Sequence, residues 1–197
     1  VEYRSRGRAT VTVEQRGPLR AVVKTVAPLV APDGSERMQV EQRIEAYRGS
    51  ALLRIHHTFV VDGKDEFTEW EKLVFRVPAS AETESESPPA FSIFSTDGEQ
   101  TSSSERPYAV RQRFDDQAQT AGVQDGTDQQ RLTGTIQFHG PTGWTASVRD
   151  FWQNYPKGFM IGDDALQIEL CPDFPSGTYD DFPFEKEGHQ LYYYLQN

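Results

Sequence analysis

The sequence predicts an all-β fold, an antiparallel β-sandwich of about twelve short strands with little helix. Three observations predict it. Apolar and polar residues alternate with period two along most of the chain, as strands with one covered face require. Turn chemistry interrupts that alternation roughly every 8–12 residues. The composition, with 15 Gly, 12 Pro and 12% aromatic residues, suits many tight turns between short elements better than a helical bundle.

The elements follow in order. From Arg8 to Gln15 the residues Ala9, Val11 and Val13 share a face. Gly17 and Pro18 turn the chain, and Leu19 to Val26 returns as a β-branched strand. Pro32 to Ser35 carries loop chemistry, and Met38 to Tyr47 alternates again. After Gly49-Ser50, the segment Ala51 to Val61 places Leu53, Ile55, His57, Phe59 and Val61 on one face. Asp62-Gly63 is a hairpin signal, so Phe67 to Val77 is expected to pair with the preceding strand. The acidic, Ser-rich stretch 79–89 and the polar stretch 96–106 read as mobile surface loops. Short strands are expected near 90–95, 107–114, 117–123, 130–138, 143–151, 164–170 and 191–195. Residues 149–155 fit one helical turn before Pro156, and 172–188 is a Pro/Asp/Gly-rich loop. No fixed-period repeat is present.

With 197 residues, the chain is read as a single β-sandwich module, 1–197. Both ends fall next to strand-like sequence, so it reads as excised from a larger multidomain polypeptide. The formal charge is −10 and the isoelectric point about 4.9. That argues against a nucleic-acid partner, which needs a basic face. An anionic polymer is repelled at long range, but local Arg and Lys groups can still hold one within a Debye length of ~8–10 Å. The single cysteine, Cys171, allows no intrachain disulfide. No stretch of about 20 apolar residues is available to span a membrane as a helix.

The densest chemical constellation is Arg149-Asp150-Phe151-Trp152-Gln153-Asn154-Tyr155-Pro156-Lys157. Sugar binding asks for an aromatic surface against a pyranose face and for planar polar groups against paired hydroxyls. Acidic sugars add a demand for Arg or Lys against the carboxylate. This run holds all three; the plainer reading makes Phe151 and Trp152 core and lets the polar residues satisfy a bend. His57, on the face of Leu53 and Phe59, reads as a hydrogen-bonded core histidine, while His56 faces the other way with Arg54 and Thr58. His139 opens a hairpin loop running to Trp144. Asp163, Asp164, Asp173, Asp180 and Asp181 offer carboxylates for calcium, but their spacing matches no EF-hand loop and solvated acidic loops explain them better. No other cofactor, nucleophile elbow, phosphate loop or zinc pattern is expected.

In sequence order, Gly17 to Lys24, Ile44 to Ser50, Ile55 to Gly63, Val148 to Lys157 and Ile168 to Pro172 resemble the exo-rhamnogalacturonan lyase and YetA-like family. The resemblance runs over nearly the whole chain. It implies the end of an N-terminal barrel-like domain followed by most of a central β-sandwich, with a helical toroid beyond Asn197. It implies β-elimination on a uronic-acid- and rhamnose-containing polysaccharide, rhamnogalacturonan or ulvan. The partners implied are an acidic polysaccharide or oligosaccharide and flanking domains of the parent enzyme, in an extracellular or periplasmic setting. Under that reading Arg149 and Lys157 face the substrate carboxylate, Trp152 and Asn154 bind the sugar, and Tyr155 or His139 transfers the proton. A non-catalytic carbohydrate-binding domain and a structural support domain are the alternatives.

Overall fold

The computed structural model describes residues 1–5, 9–61, 71–78, 90–98, 100–120, 127–139 and 143–173. Among them are fifteen strands, every pairing antiparallel, and no helix. The all-β sandwich class is therefore correct. The chain groups into two compact units, Val1–Glu69 and Trp70–Asn197.

The first unit is a five-stranded sheet of β1 (Arg4–Ser5), β2 (Thr10–Arg16), β3 (Arg20–Val30), β4 (Glu36–Tyr47) and β5 (Leu53–Val61). β1 and β2 both border β3 on one side, and β4 and then β5 follow on the other. The register aligns Val13, Val23, Ile44 and Ile55 in one cross-strand row. That face is mostly apolar, as the alternation in β4 and β5 predicts, with one polar row of Thr25, Gln42 and His57 across it. Its burial is uneven: Met38, Val40, Ala27 and Leu29 are buried, whereas Leu53 and Ile55 remain 57% and 44% exposed. The opposite face is ionic. Glu45 is buried there beneath Arg20 (2.6 Å), the Tyr47 hydroxyl (2.7 Å) and the His56 imidazole (3.3 Å). Bonds from Tyr47 and Arg20 hold its carboxyl below the usual range.

The second unit is the two-layered part. A six-stranded sheet has the order β11 (Thr127–Gln129), β10 (Gln117–Thr120), β9 (Tyr108–Phe114), β14 (Lys157–Ile161), β15 (Ala165–Cys171), β6 (Leu73–Pro78). A four-stranded sheet has the order β13 (Thr145–Ser147), β12 (Leu132–Phe138), β7 (Phe91–Ser95), β8 (Gln100–Ser103). One buried cluster draws on both sheets, with Phe91 and Ile136 from the smaller and Phe159 and Leu166 from the larger. Fully buried Gln112 of β9 links the two layers. Its Oε1 accepts from the Leu132 backbone N–H (2.8 Å), and its Nε2 donates to the carbonyls of Phe114 (2.7 Å) and Gln130 (3.0 Å). All of the amide's main hydrogen-bonding capacity is used, so its burial carries little penalty.

Several expectations are corrected. β6 does not pair with β5 but with β15, through Phe75↔Ile168 and Val77↔Leu166, because its apolar side chains complete the two-layered core. Asp62-Gly63 and Phe67 lie outside the described residues. The stretch 96–106 contains β8, an edge strand on β7, despite its polar composition. β14, between β9 and β15, is a central strand absent from the expected ones. The expected strand 143–151 shortens to β13, and the chain then turns. The acidic stretch 79–89 and the expected strand 191–195 lie outside the described residues.

Candidate functional site

The run 149–157 connects β13 to β14 as a single hydrogen-bonded turn. Val148 N–H donates to Gly134 O (2.8 Å), fixing the entry on β12, and Asn154 N–H donates to Asp150 O (3.0 Å), closing the turn. Asp150 takes a left-handed backbone with φ of 50°, a conformation Asp tolerates better than most residues. Phe151 points inward, is 1% exposed and stacks on Phe159 with centroids 5.0 Å apart. It is the anchor of the turn and therefore core, as the plainer reading of the sequence has it.

With Phe151 inside, the polar residues face out. Arg149, Asp150, Gln153 and Asn154 line an open depression. The Arg149 side chain is 93% exposed, with Nε 3.1 Å from Asp150 Oδ2. An exposed pair of this kind contributes about 0–1 kcal/mol, so the guanidinium can exchange its neighbour for an incoming carboxylate at little cost. The two amides offer donors and acceptors suited to adjacent hydroxyls.

Lys157 sits beneath this surface and is buried. Its Nζ donates to the Asn154 carbonyl (2.7 Å). Burial pushes its ammonium down to about 8, with the Cys171 thiol and the Asp150 carboxylate acting in the opposite direction. Lys157 thus braces the turn from inside. Trp152 is half-buried, with the Arg131 guanidinium 4.7 Å from its ring centroid. Arg131 is itself held by the Asp115 carbonyl (3.1 Å) and carboxylate (3.6 Å). Tyr155 is half-buried edge-on to Phe114, centroids 6.1 Å apart.

His139 lies elsewhere. It follows β12 at the end marked by Phe138, and its Nε2 is 2.6 Å from Ser92 Oγ. Ser92 also meets Ser102 Oγ (2.9 Å) and accepts from Gln100 Nε2 (2.7 Å). Tyr155 and Lys157 belong to the other end, where Gln112 holds Leu132. The length of β12 separates the two ends by roughly 20 Å. The structure therefore brings Arg149, Asn154, Tyr155 and Lys157 into one turn, with Trp152 packed on its flank, and leaves His139 apart.

The sequence reading missed Asp150 and Gln153 as parts of the depression. It also missed a buried ionic triad: fully buried Glu169 receives Arg111 Nε (2.6 Å), Arg111 Nη2 (3.0 Å) and Lys72 Nζ (2.8 Å). The available signal was a Glu inside the apolar run Ile168 to Leu170. Asp164 pairs with Arg76 (2.6 Å). Asp180 and Asp181 lie outside the described residues, among which no three His, Cys, Asp or Glu form a metal-holding group. His57 meets Gln42 Nε2 through Nδ1 (2.9 Å) and Phe59 edge-on. Its burial lowers the imidazole to about 4, so it is neutral at pH 7.

The fold and this turn define an all-β protein with a two-sheet sandwich in its second unit and an open polar depression at the 149–157 turn. The comparisons with known proteins give a partial likeness: residues 3–86 match the model of the PcRGLX-like protein central beta sandwich domain. That span takes in β1 to β6, less than half of the chain, and ends before the 149–157 turn. No curated protein and no solved structure matches the chain.

Proposed function

We propose that this chain is the β-sandwich part of a polysaccharide lyase that acts by β-elimination on a uronic-acid- and rhamnose-containing polymer. The observation that carries this reading is the family match over residues 3–86. The 149–157 turn adds a guanidinium on an open surface, where a uronate can reach it. In β-elimination a base removes the proton at C5, the C4–oxygen bond breaks, a C4–C5 double bond forms and the departing oxygen takes up a proton. Neutralising the carboxylate makes the C5 proton more acidic. Arg149 is the group proposed for that role, with Gln153 and Asn154 on the hydroxyls. Tyr155 is the proton-transfer candidate in the same turn, and His139, bonded to Ser92 at the far end of β12, stands outside this site.

The supporting role is the second reading. It is favoured by Trp152 and Tyr155, whose rings are engaged by Arg131 and Phe114. Rhamnogalacturonan and ulvan are incubated with this chain and with its longer parent, and ultraviolet absorbance follows the unsaturated uronate. Product from the parent, reduced at least about tenfold by Arg149→Ala, is the expected result. Product unaffected by Arg149→Ala and Tyr155→Phe removes the site from this turn, and no product from either polymer leaves the supporting role.

A further inference from the structure

Arg131 stands immediately before β12, beside the 149–157 turn, and it is held unusually firmly for an exposed arginine. Its backbone is fixed on both sides. The Arg131 carbonyl accepts from Thr96 N–H (2.8 Å), Leu132 N–H donates to Gln112 Oε1 (2.8 Å), and the Gln130 carbonyl accepts from Gln112 Nε2 (3.0 Å). The side chain is fixed as well. Its Nε donates to the Asp115 carbonyl (3.1 Å), and the guanidinium carbon lies over the Trp152 ring, 4.7 Å from its centroid. A long side chain with many rotamers is thus ordered before any ligand arrives, which lowers the entropic cost of binding.

The contacts that hold this guanidinium leave its outer edge open. The group is a rigid fork of N–H donors, and the Asp115 carbonyl takes only the one on Nε. Nη2 stands 3.6 Å from Asp115 Oδ2, beyond hydrogen-bond range, and the two Nη groups donate to no acceptor among the described residues. The side chain is 45% exposed. Asp115 therefore offsets the charge in the free protein without filling the fork. An arriving carboxylate adds bonds instead of replacing them, and its two oxygens match the paired Nη donors in one plane.

Trp152 ties Arg131 to the depression, since it neighbours Gln153, which lines that depression with Arg149, Asp150 and Asn154. Arg149 follows Val148, whose N–H meets the Gly134 carbonyl on β12. Measured along β12 from Arg131 to Gly134, the two arginine backbones are roughly 10 Å apart. We infer that Arg131 is a second carboxylate-binding group, and that Arg131 and Arg149 hold the carboxylates of two different residues of one acidic oligosaccharide. Trp152 then serves as the platform of the Arg131 guanidinium, not of a sugar ring. Arg149 meets the uronate at which the C5 proton leaves, and Arg131 fixes the chain beyond it. That the carboxylates belong to a uronic-acid chain and not to an acidic peptide rests on the lyase reading above.

Native gels cast with polygalacturonate, with retardation read against polymer concentration, test the inference on the whole chain. Arg131→Gln is expected to weaken retention at least about tenfold while leaving thermal unfolding unchanged. Arg131→Lys is expected to lose nearly as much, because an ammonium keeps the charge but not the fork. Trp152→Leu is expected to weaken retention in the natural background and to add little once Arg131 is Gln, since the ring acts through the guanidinium. Full retention by Arg131→Gln or by Arg131→Lys overturns the inference, as does equal retention in gels cast with polyglutamate. Loss of retention in Arg149→Ala alone overturns it and leaves the 149–157 turn as the site. The absence of any retention by the natural chain also overturns it, whereas the lyase reading is judged separately, by unsaturated uronate from the longer parent. Retention that depends on Arg131, with no such product from the parent, overturns the lyase reading and leaves the carboxylate site standing.

Discussion

A methyl group on Gly158 would stand 2.7 Å from Glu169 Oε2 and 2.8 Å from Arg111 Cγ. Gly158 of β14 lies between these two residues in the sheet register, so the Arg111–Glu169 ion pair passes directly over its backbone. Gly158→Ala is expected to destabilise the protein by about 1–3 kcal/mol, with a lower midpoint in denaturant unfolding. Lys157, the next residue, supplies a pH signature. Its folded pKa is lowered to about 8 from an ordinary 10.5. Between those values the unfolded chain binds more protons than the folded one, so stability rises with pH across that window. Below about pH 8 the ammonium is charged in both states and the burial cost is fully present. Denaturant midpoints of the natural protein are expected to climb from pH 8 towards 10, relative to Lys157→Met, which has no group to titrate.

At the scale of elements, the 149–154 turn depends on an irregularity in β12. The register of β12 against β7 shifts between Leu132 and Ile136. Gly134 sits inside that shift with φ of 76°, and a Cβ there would stand 2.4 Å from Phe151 Cβ. Gly134→Ala combines backbone strain with a clash that no rotamer relieves. It is expected to cost about 2–4 kcal/mol, measured as a lowered unfolding midpoint, and to displace Phe151 and with it the Arg149 depression. Faces of strands were legible in the sequence: the shared face of Leu53, Ile55, His57 and Phe59 is present, with His57 hydrogen-bonded to Gln42 but only half-buried. Neighbours were not. Period two says which way a side chain points but not which strand lies alongside, and so β6 was assigned to β5 when its partner is β15. β14 escaped notice because Lys157-Gly158 opens it, and neither residue announces a buried strand. The burial of Lys157 and the separation of His139 from Tyr155 are products of tertiary packing, which local pattern does not encode.

At the scale of the whole molecule, net charge and one exposed apolar surface act together. At pH 7 a formal charge of −10 keeps copies apart, although Val11, Val13, Leu53 and Ile55 remain exposed on the first unit's sheet. That protection falls away as pH approaches the isoelectric point of about 4.9. Light scattering is expected to rise there, and Ile55→Lys, which breaks the apolar row, is expected to suppress it. The Gln112 amide, which holds one sheet to the other, also provides a clock. The Leu132 N–H is bonded to a side chain of the opposite layer, and so its exchange with deuterated solvent reports the parting of the layers, not the fraying of a strand. Its protection is expected to match that of the slowest core amides. Gln112→Leu should hasten exchange at Leu132 far more than at Phe159, and so measure layer separation at a single hydrogen atom.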